Sequence, residues 1–267
     1  MNLLRRVCLL SVLLACSGFA LAQCTESEDV HSVPTRPTFS TGAETTQCGV
    51  IEFDAGATFT SPSGGRYWSV GDSSRLGITD HLDMRVASDS IDHLSFQSTS
   101  SRGIGDTVLN PKYRFNKESA WMPSFAAAYA IKLPTADATL GLGTGQRDQV
   151  FSLLASTSMG RYHVDFNASA LKLGVAPNAS DYAAAWSSDV SYAVTRRWSA
   201  VADLYSTTFL DDEVNAAALL LVGGSYQVNP RLYIDAAIDS GFTQGSNERR
   251  LQFGVTYAAG RLFGRKK

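Results

Sequence analysis

About twelve stretches of this chain alternate apolar and polar residues one for one. Each spans roughly ten residues, the length at which a tilted strand crosses a bilayer. In residues 51–60 one face carries Ile51, Phe53, Ala55, Ala57 and Phe59, and the other Glu52, Asp54, Gly56, Thr58 and Thr60. The pattern returns at 68–78, 82–86, 107–115, 125–133, 151–155, 162–168, 182–192, 198–204, 232–238 and 251–257. Residues 216–226 are apolar on both parities, which leaves that strand's register open. A period of two puts alternate side chains on opposite faces of a sheet, so each strand has one greasy and one wet face.

Two architectures fit such strands: a soluble barrel or sandwich with the apolar face inward, or a membrane barrel with it outward. The polar faces decide between them. They hold Glu52, Asp54, Asp83, Arg85, Asp106, Lys112, Arg114, Lys132, Asp165, Asp203 and Asp235. A packed interior has no room for so many charges, whereas a water-filled lumen accepts them, most as structural ion pairs. Aromatics also cluster at the ends of the apolar faces, at Phe59, Trp68, Tyr113, Phe115, Phe125, Tyr162, Tyr182, Tyr192, Trp198 and Tyr257. Amphipathic rings there match the two membrane interfaces. The expected fold is therefore all-β: an antiparallel up-and-down transmembrane β-barrel of about twelve strands.

The connections alternate as well. Those at 79–81, 116–120, 158–161, 195–197 and 227–231 are short. Those at 88–103, 134–147, 172–181, 206–215 and 240–248 are long or rich in Gly and Ser, and 61–65 is a short exception. Short turns on one rim and long loops on the other suit a barrel with its short turns in the periplasm.

The first residues explain how such a chain would reach an outer membrane. Met1–Arg6 is basic, residues 7–22 are apolar, and Ala20-Leu21-Ala22 is a small-x-small cleavage site. Residues 1–22 read as a cleaved signal peptide, with an alternative lipoprotein cut at Cys16. Removing Arg5 and Arg6 leaves 21 basic (23 − 2) against 25 acidic residues, a net charge of −4 with His neutral. No basic patch points to nucleic acid. Beyond residue 22 no apolar run is long enough for a spanning helix, so any crossing must use strands.

Residues 23–48 are polar, aperiodic and contain Pro34 and Pro37, which makes them an extended segment ahead of a barrel at 49–258. Two readings stand. The segment is a hatch at the periplasmic mouth, with Glu26, Glu28 and Asp29 paired to lumen bases such as Arg85, Lys112 or Arg114; or it is a disordered leader. Cys24 and Cys48, alone after the signal is removed, form a bridge in the oxidising periplasm or stay free.

The run Gly105-Asp106-Thr107-Val108-Leu109-Asn110-Pro111-Lys112-Tyr113-Arg114-Phe115 is followed by FAAAYAIKLP at 125–134. With RPTFST at 36–41, LGTGQRDQVFSLLAS at 142–156 and YQVNPRLYIDAAIDSGFTQG at 226–245, it resembles an outer-membrane β-barrel family. That family is named for the meta-pathway of phenol degradation, and its members are often labelled transporters. The resemblance spans roughly residues 35–258 and implies uptake of hydrophobic or aromatic compounds. Its partners would be outer-membrane lipid, small solutes and the barrel-assembly machinery. One departure stands out. Such barrels end on a terminal aromatic, whereas here a basic tail, 259–267, follows Tyr257, leaving Tyr257 or Phe263 as the assembly signal.

Other motifs carry little. Gly141-x-Gly143-x-Gly145 lies in a loop with no following helix, so it is no dinucleotide site. His31, His81, His93 and His163 lack metal-ligand spacing. His163 shares a lumen face with Ser169, a weak hint of the hydrolase chemistry some barrels perform. The expectation is a passive channel for small molecules, with no catalytic, cofactor or metal site. A non-conducting structural barrel is the alternative.

Overall fold

The computed structural model describes residue 24 and residues 29–61, 65–96, 99–176, 179–209, 217–243 and 249–264. The signal peptide, the Cys16 cut, Glu26, Glu28 and the last basic residues lie outside them. The strands are β1 (Val50–Ser61), β2 (Gly65–Gly77), β3 (Leu82–Phe96), β4 (Thr99–Gly103), β5 (Thr107–Asn116), β6 (Ser124–Leu133) and β7 (Asp148–Met159). They continue with β8 (Tyr162–Ala176), β9 (Ala179–Ala193), β10 (Trp198–Phe209), β11 (Ala217–Asn229), β12 (Leu232–Gly241) and β13 (Arg249–Arg261). Every neighbouring pair is antiparallel. β1 pairs with β2 on one side and β13 on the other, which closes the ring. Twelve strands form the barrel. β4 is the return limb of a hairpin built on the outer half of β3, whose inner half pairs with β5. Among the described residues no helix is long and apolar enough to cross a membrane.

Closure follows from the alternation. In a bilayer every backbone N–H and C=O must bond within the protein, and an edgeless sheet achieves that. The two parities then separate. Phe53, Leu153, Phe166, Val222, Ile238 and Phe253 point outward and are exposed, while Glu52, Asp54, Asp165, Asp203 and Thr256 point inward and are buried. Leu221 is buried and Leu220 and Val222 exposed, which settles the register of the doubly apolar stretch. Outward aromatics pair near the rims: Tyr162 with Tyr192 at 5.0 Å and Trp198 with Tyr226 at 4.7 Å between centroids.

The rim that carries both chain ends is held by tight turns. Gly160 takes φ 64° in the two-residue β7–β8 link, a left-handed turn that glycine adopts without strain. Thr79 and Thr195 act alike: each hydroxyl accepts backbone amides two and three residues on, which pins its turn.

The opposite rim differs from expectation. Residues 88–103 and 172–181 read as loops, yet β3–β4 and β8–β9 continue there as projecting hairpins. In β3 the serines and aspartates at 88–92 break the apolar alternation, whereas in β8 the alternation runs on through Leu171, Leu173 and Val175. β13 likewise runs to Arg261, three residues past the expected end at 258.

Candidate functional site: an occupied lumen

The inward parity brings acids and bases of adjacent strands together. Arg75 of β2 bonds Glu52 and reaches Asp54 of β1 at 3.2 Å. Lys112 of β5 lies 3.9 Å from Asp83 of β3. Near the far rim, Lys132 sits 3.4 Å from Asp106 and 2.6 Å from Asp148, and Arg250 sits 2.7 Å from Asp239. Each base lies on a strand next to, or nearly next to, its acid, as the cross-strand spacing of a sheet allows.

Across this lumen runs the N-terminal segment. Cys24 and Cys48 are joined by a disulfide. Residues 31–47 pass inside the wall, where their backbone polar groups have left water and need partners. Lumen side chains supply them. Val33 N donates to Glu52 at 2.8 Å. Phe39 N and Ser40 N donate to one oxygen of Asp203, at 2.6 and 2.8 Å, and the Ser40 hydroxyl donates to the other at 2.9 Å. Asn167 acts as a surrogate strand, accepting from Thr41 N at 2.7 Å and donating to Thr41 O at 2.9 Å. Ala43 N reaches Ser156 at 2.7 Å and Thr46 N reaches Asp83 at 2.8 Å. Lys112 donates to the carbonyls of Gly42 and Glu44. Arg36 lies 3.5 Å from Asp235, over the cross-strand pair Gly56 and Gly254, where a Cβ on either glycine would collide with its guanidinium.

Apolar contacts add to this. Phe39 packs on Val201, Leu221 and Ala237, 5.5 Å from the Tyr205 ring and 5.1 Å from the Arg250 guanidinium. Ala43 packs on Ala126, Ala128 and Leu154. Of the three acids expected to pair with lumen bases, Glu26 and Glu28 lie outside the described residues. The Asp29 carbonyl accepts from Gln47, Lys112 holds segment carbonyls, and Arg114 donates to Asp80 O at 2.7 Å. Arg85 points its Nε into a cavity wall without a hydrogen-bond partner among the described residues. Asn167, Ser156, Arg75 and Leu221, not singled out from the sequence, lie on the inward parity. Parity alone marked the first three, and Leu221 lies in the stretch whose register the sequence left open.

The segment divides the lumen. On the far-rim side lie cavities of about 380 and 240 Å³ that share Arg85, Ala87 and Val108. On the side of the chain ends lie cavities of about 360 and 260 Å³ that share His31, Val33 and Glu44. The largest of these four combines Phe39, Tyr205, Val108 and Leu154 with Arg85, Asn110 and Lys112, and its volume suits a small ligand.

One cluster has the order of a hydrolytic triad. The Ser158 hydroxyl lies 2.9 Å from His163 Nδ1, and His163 Nε2 lies 3.2 Å from Asp165. The expected neighbour Ser169 instead bonds Ser152 at 2.7 Å. The surroundings oppose acyl transfer. Glu118 accepts from Ser158 N, the amide nearest the hydroxyl, and from the Thr157 hydroxyl at 3.0 Å. Slight burial pushes the Glu118 carboxyl up, but those hydrogen bonds hold it below the usual range. A fixed carboxylate at Ser158 would repel an oxyanion there.

The sequence matches the family described as "Putative MetA-pathway of phenol degradation" over residues 35–259. The chain belongs to that family. No curated protein sequence matches it. Among solved structures, this phenol-degradation family barrel is similar to the COG4313 outer membrane channel from Pseudomonas putida F1. The TM-score is 0.60 at 14% identity, covering 87% of this chain and 99% of that one. The NanC porin follows with a TM-score of 0.56 at 9% identity, covering 77% of this chain and 98% of that one. The KdgM porin gives 0.52 at 8%, covering 78% and 99%. At such identities the shared property is the fold, an outer-membrane barrel, and the family expected from the sequence is the one found.

Proposed function

We propose that this family member is a passive outer-membrane channel for small hydrophobic or aromatic molecules, exported by a cleaved signal peptide and closed at rest by its own N-terminal segment. The observation that carries the reading is the segment itself, threaded between two pairs of lumen cavities. A lumen filled by wall side chains has no use for a separate strap. One that must open needs an obstruction it can move, and the strap's hydrogen bonds to wall carboxylates can each be exchanged for water. The mixed lining, with Phe39, Tyr205 and Leu154 beside Arg85 and Asn110, supports solutes with one apolar face and one polar group. The family's description supports phenol-like compounds. The chemistry at Ser158 supports no hydrolytic role.

Liposome swelling with a panel of small solutes, phenols included, tests this. The intact barrel should admit at least one class, and deletion of residues 25–47 should speed entry. If neither protein admits any solute, the barrel is structural and the channel reading fails.

A further inference from the structure

We propose that the junction between the N-terminal segment and strand β8 is a binding site for a divalent transition cation of the zinc class. Glu44 of the segment and His163 and Asp165 of β8 each offer a ligand atom, all within 4.8 Å of one another. His163 Nε2 and Asp165 Oδ1 are already 3.2 Å apart. Two ligands on a tetrahedral zinc with bonds of about 2.0–2.1 Å stand about 3.3 Å apart. Glu44, with its ligand atom within 4.8 Å of the other two, would close by up to about 1.5 Å to complete the face. Gly42 keeps the spot open: a Cβ there would lie 2.8 Å from Glu44 Oε2 and 3.4 and 3.5 Å from the two Asp165 oxygens. Both carboxylates therefore lie against the one point that a Cβ would occupy.

A second, independent feature points the same way. Asp189, on β9 directly across from Asp165, is 2% exposed, and its Oδ1 is buried with no hydrogen-bond partner. It lines the same cavity as Glu44, His163 and Asp165. Three carboxylates thus face this cavity; of the cations beside it, Arg36 lies against Asp235 and the Lys112 ammonium is engaged by the carbonyls of Gly42 and Glu44. Asp203, next in the row, already accepts from two segment amides and the Ser40 hydroxyl. A divalent cation would balance the surplus and give Asp189 Oδ1 a partner, its Oδ2 already accepting from the Ser191 hydroxyl at 3.2 Å.

The supporting groups are of the kind that orient metal ligands. The Ser158 hydroxyl lies against His163 Nδ1, the nitrogen left over when Nε2 binds, and the Ser156 hydroxyl donates to Asp165. An imidazole among carboxylates selects a zinc-class ion over calcium or magnesium, which take all-oxygen shells. The cation would bridge segment and wall, so it would fasten the strap as well as neutralise the cavity. Nothing in this requires that the barrel conduct.

The test titrates Zn²⁺ into the purified, chelator-stripped barrel in detergent, in competition with a chromophoric chelator. One equivalent should bind. His163→Gln, Asp165→Asn and Glu44→Gln should each weaken binding by roughly tenfold or more, with His81→Gln unchanged. Heat-modifiable gel migration checks that each variant is folded. Co²⁺ should give tetrahedral visible absorption in the parent and none in His163→Gln. Absence of stoichiometric uptake by the parent barrel would overturn the site and leave the surplus charge to a proton shared by Asp165 and Asp189. Parent-like affinity in folded Glu44→Gln would overturn the bridge to the segment.

Discussion

Single side chains in this barrel act through which face they occupy. Leu153 stands outward at the middle of β7, 52% exposed and opposite Ala127 and Ala168 on the adjacent strands. Leu153→Arg places a charge against acyl chains and should destabilise folding into lipid vesicles by about 2–4 kcal/mol. A tolerated arginine would mean the parity is reversed. Inside, Arg75 is the only cation bonded to Glu52 and Asp54 among the described residues, and all three are nearly fully buried. Arg75→Ala leaves two neighbouring carboxylates without their base. It should cost about 3 kcal/mol, the scale for breaking a buried pair from one side, and should show as a lower denaturant midpoint. An unchanged midpoint would mean that lumen water already carries those charges.

At the scale of elements, the strap is held by many replaceable bonds and few apolar contacts. Its amides use Glu52, Asp203, Asn167, Ser156 and Asp83, on five different strands, so it has no single anchor except the disulfide at its ends. Deleting residues 25–47 should raise single-channel conductance in planar bilayers. Unchanged conductance in a folded deletion variant would mean that the strap does not obstruct the path. The far-rim hairpins β3–β4 and β8–β9 also belong to this scale. Ser88, Asp89, Ser90 and Asp92 interrupt the apolar face of the first, while Leu171, Leu173 and Val175 carry it on into the second.

For the whole molecule, orientation is the property to test. Both described chain ends lie on the rim with the tight turns, beside the disulfide: Arg261 bonds Cys48 O at 2.7 Å and Leu262 N donates to Gly49 O at 2.7 Å. With that rim in the periplasm, a cysteine placed at Gly143, in the long β6–β7 loop, should label on intact cells with an impermeant reagent. One at Asn116, at the close of β5, should not. The reverse pattern would invert the barrel.

What the sequence determined by itself was the wall. Lipid on one side and water on the other impose a period of two that is local and survives in any register, so β1, β5, β6 and β12 were legible residue by residue, and the twelve-strand count followed. The family could be read from the same stretches. The interior was legible only as a list of inward side chains. Asn167 meets Thr41 across 126 positions of sequence, and Asp203 meets Ser40 across 163. No local pattern encodes such a meeting, because the segment has no period and its partners are chosen by where the closed ring places them. The same holds for Glu44, His163 and Asp165. Their spacing in sequence resembles no metal motif, yet closure of the barrel over the strap sets their ligand atoms within one small sphere. Tertiary structure decided the contents of the lumen, since a buried backbone without a partner is costly and takes its bonds from whichever wall surrounds it.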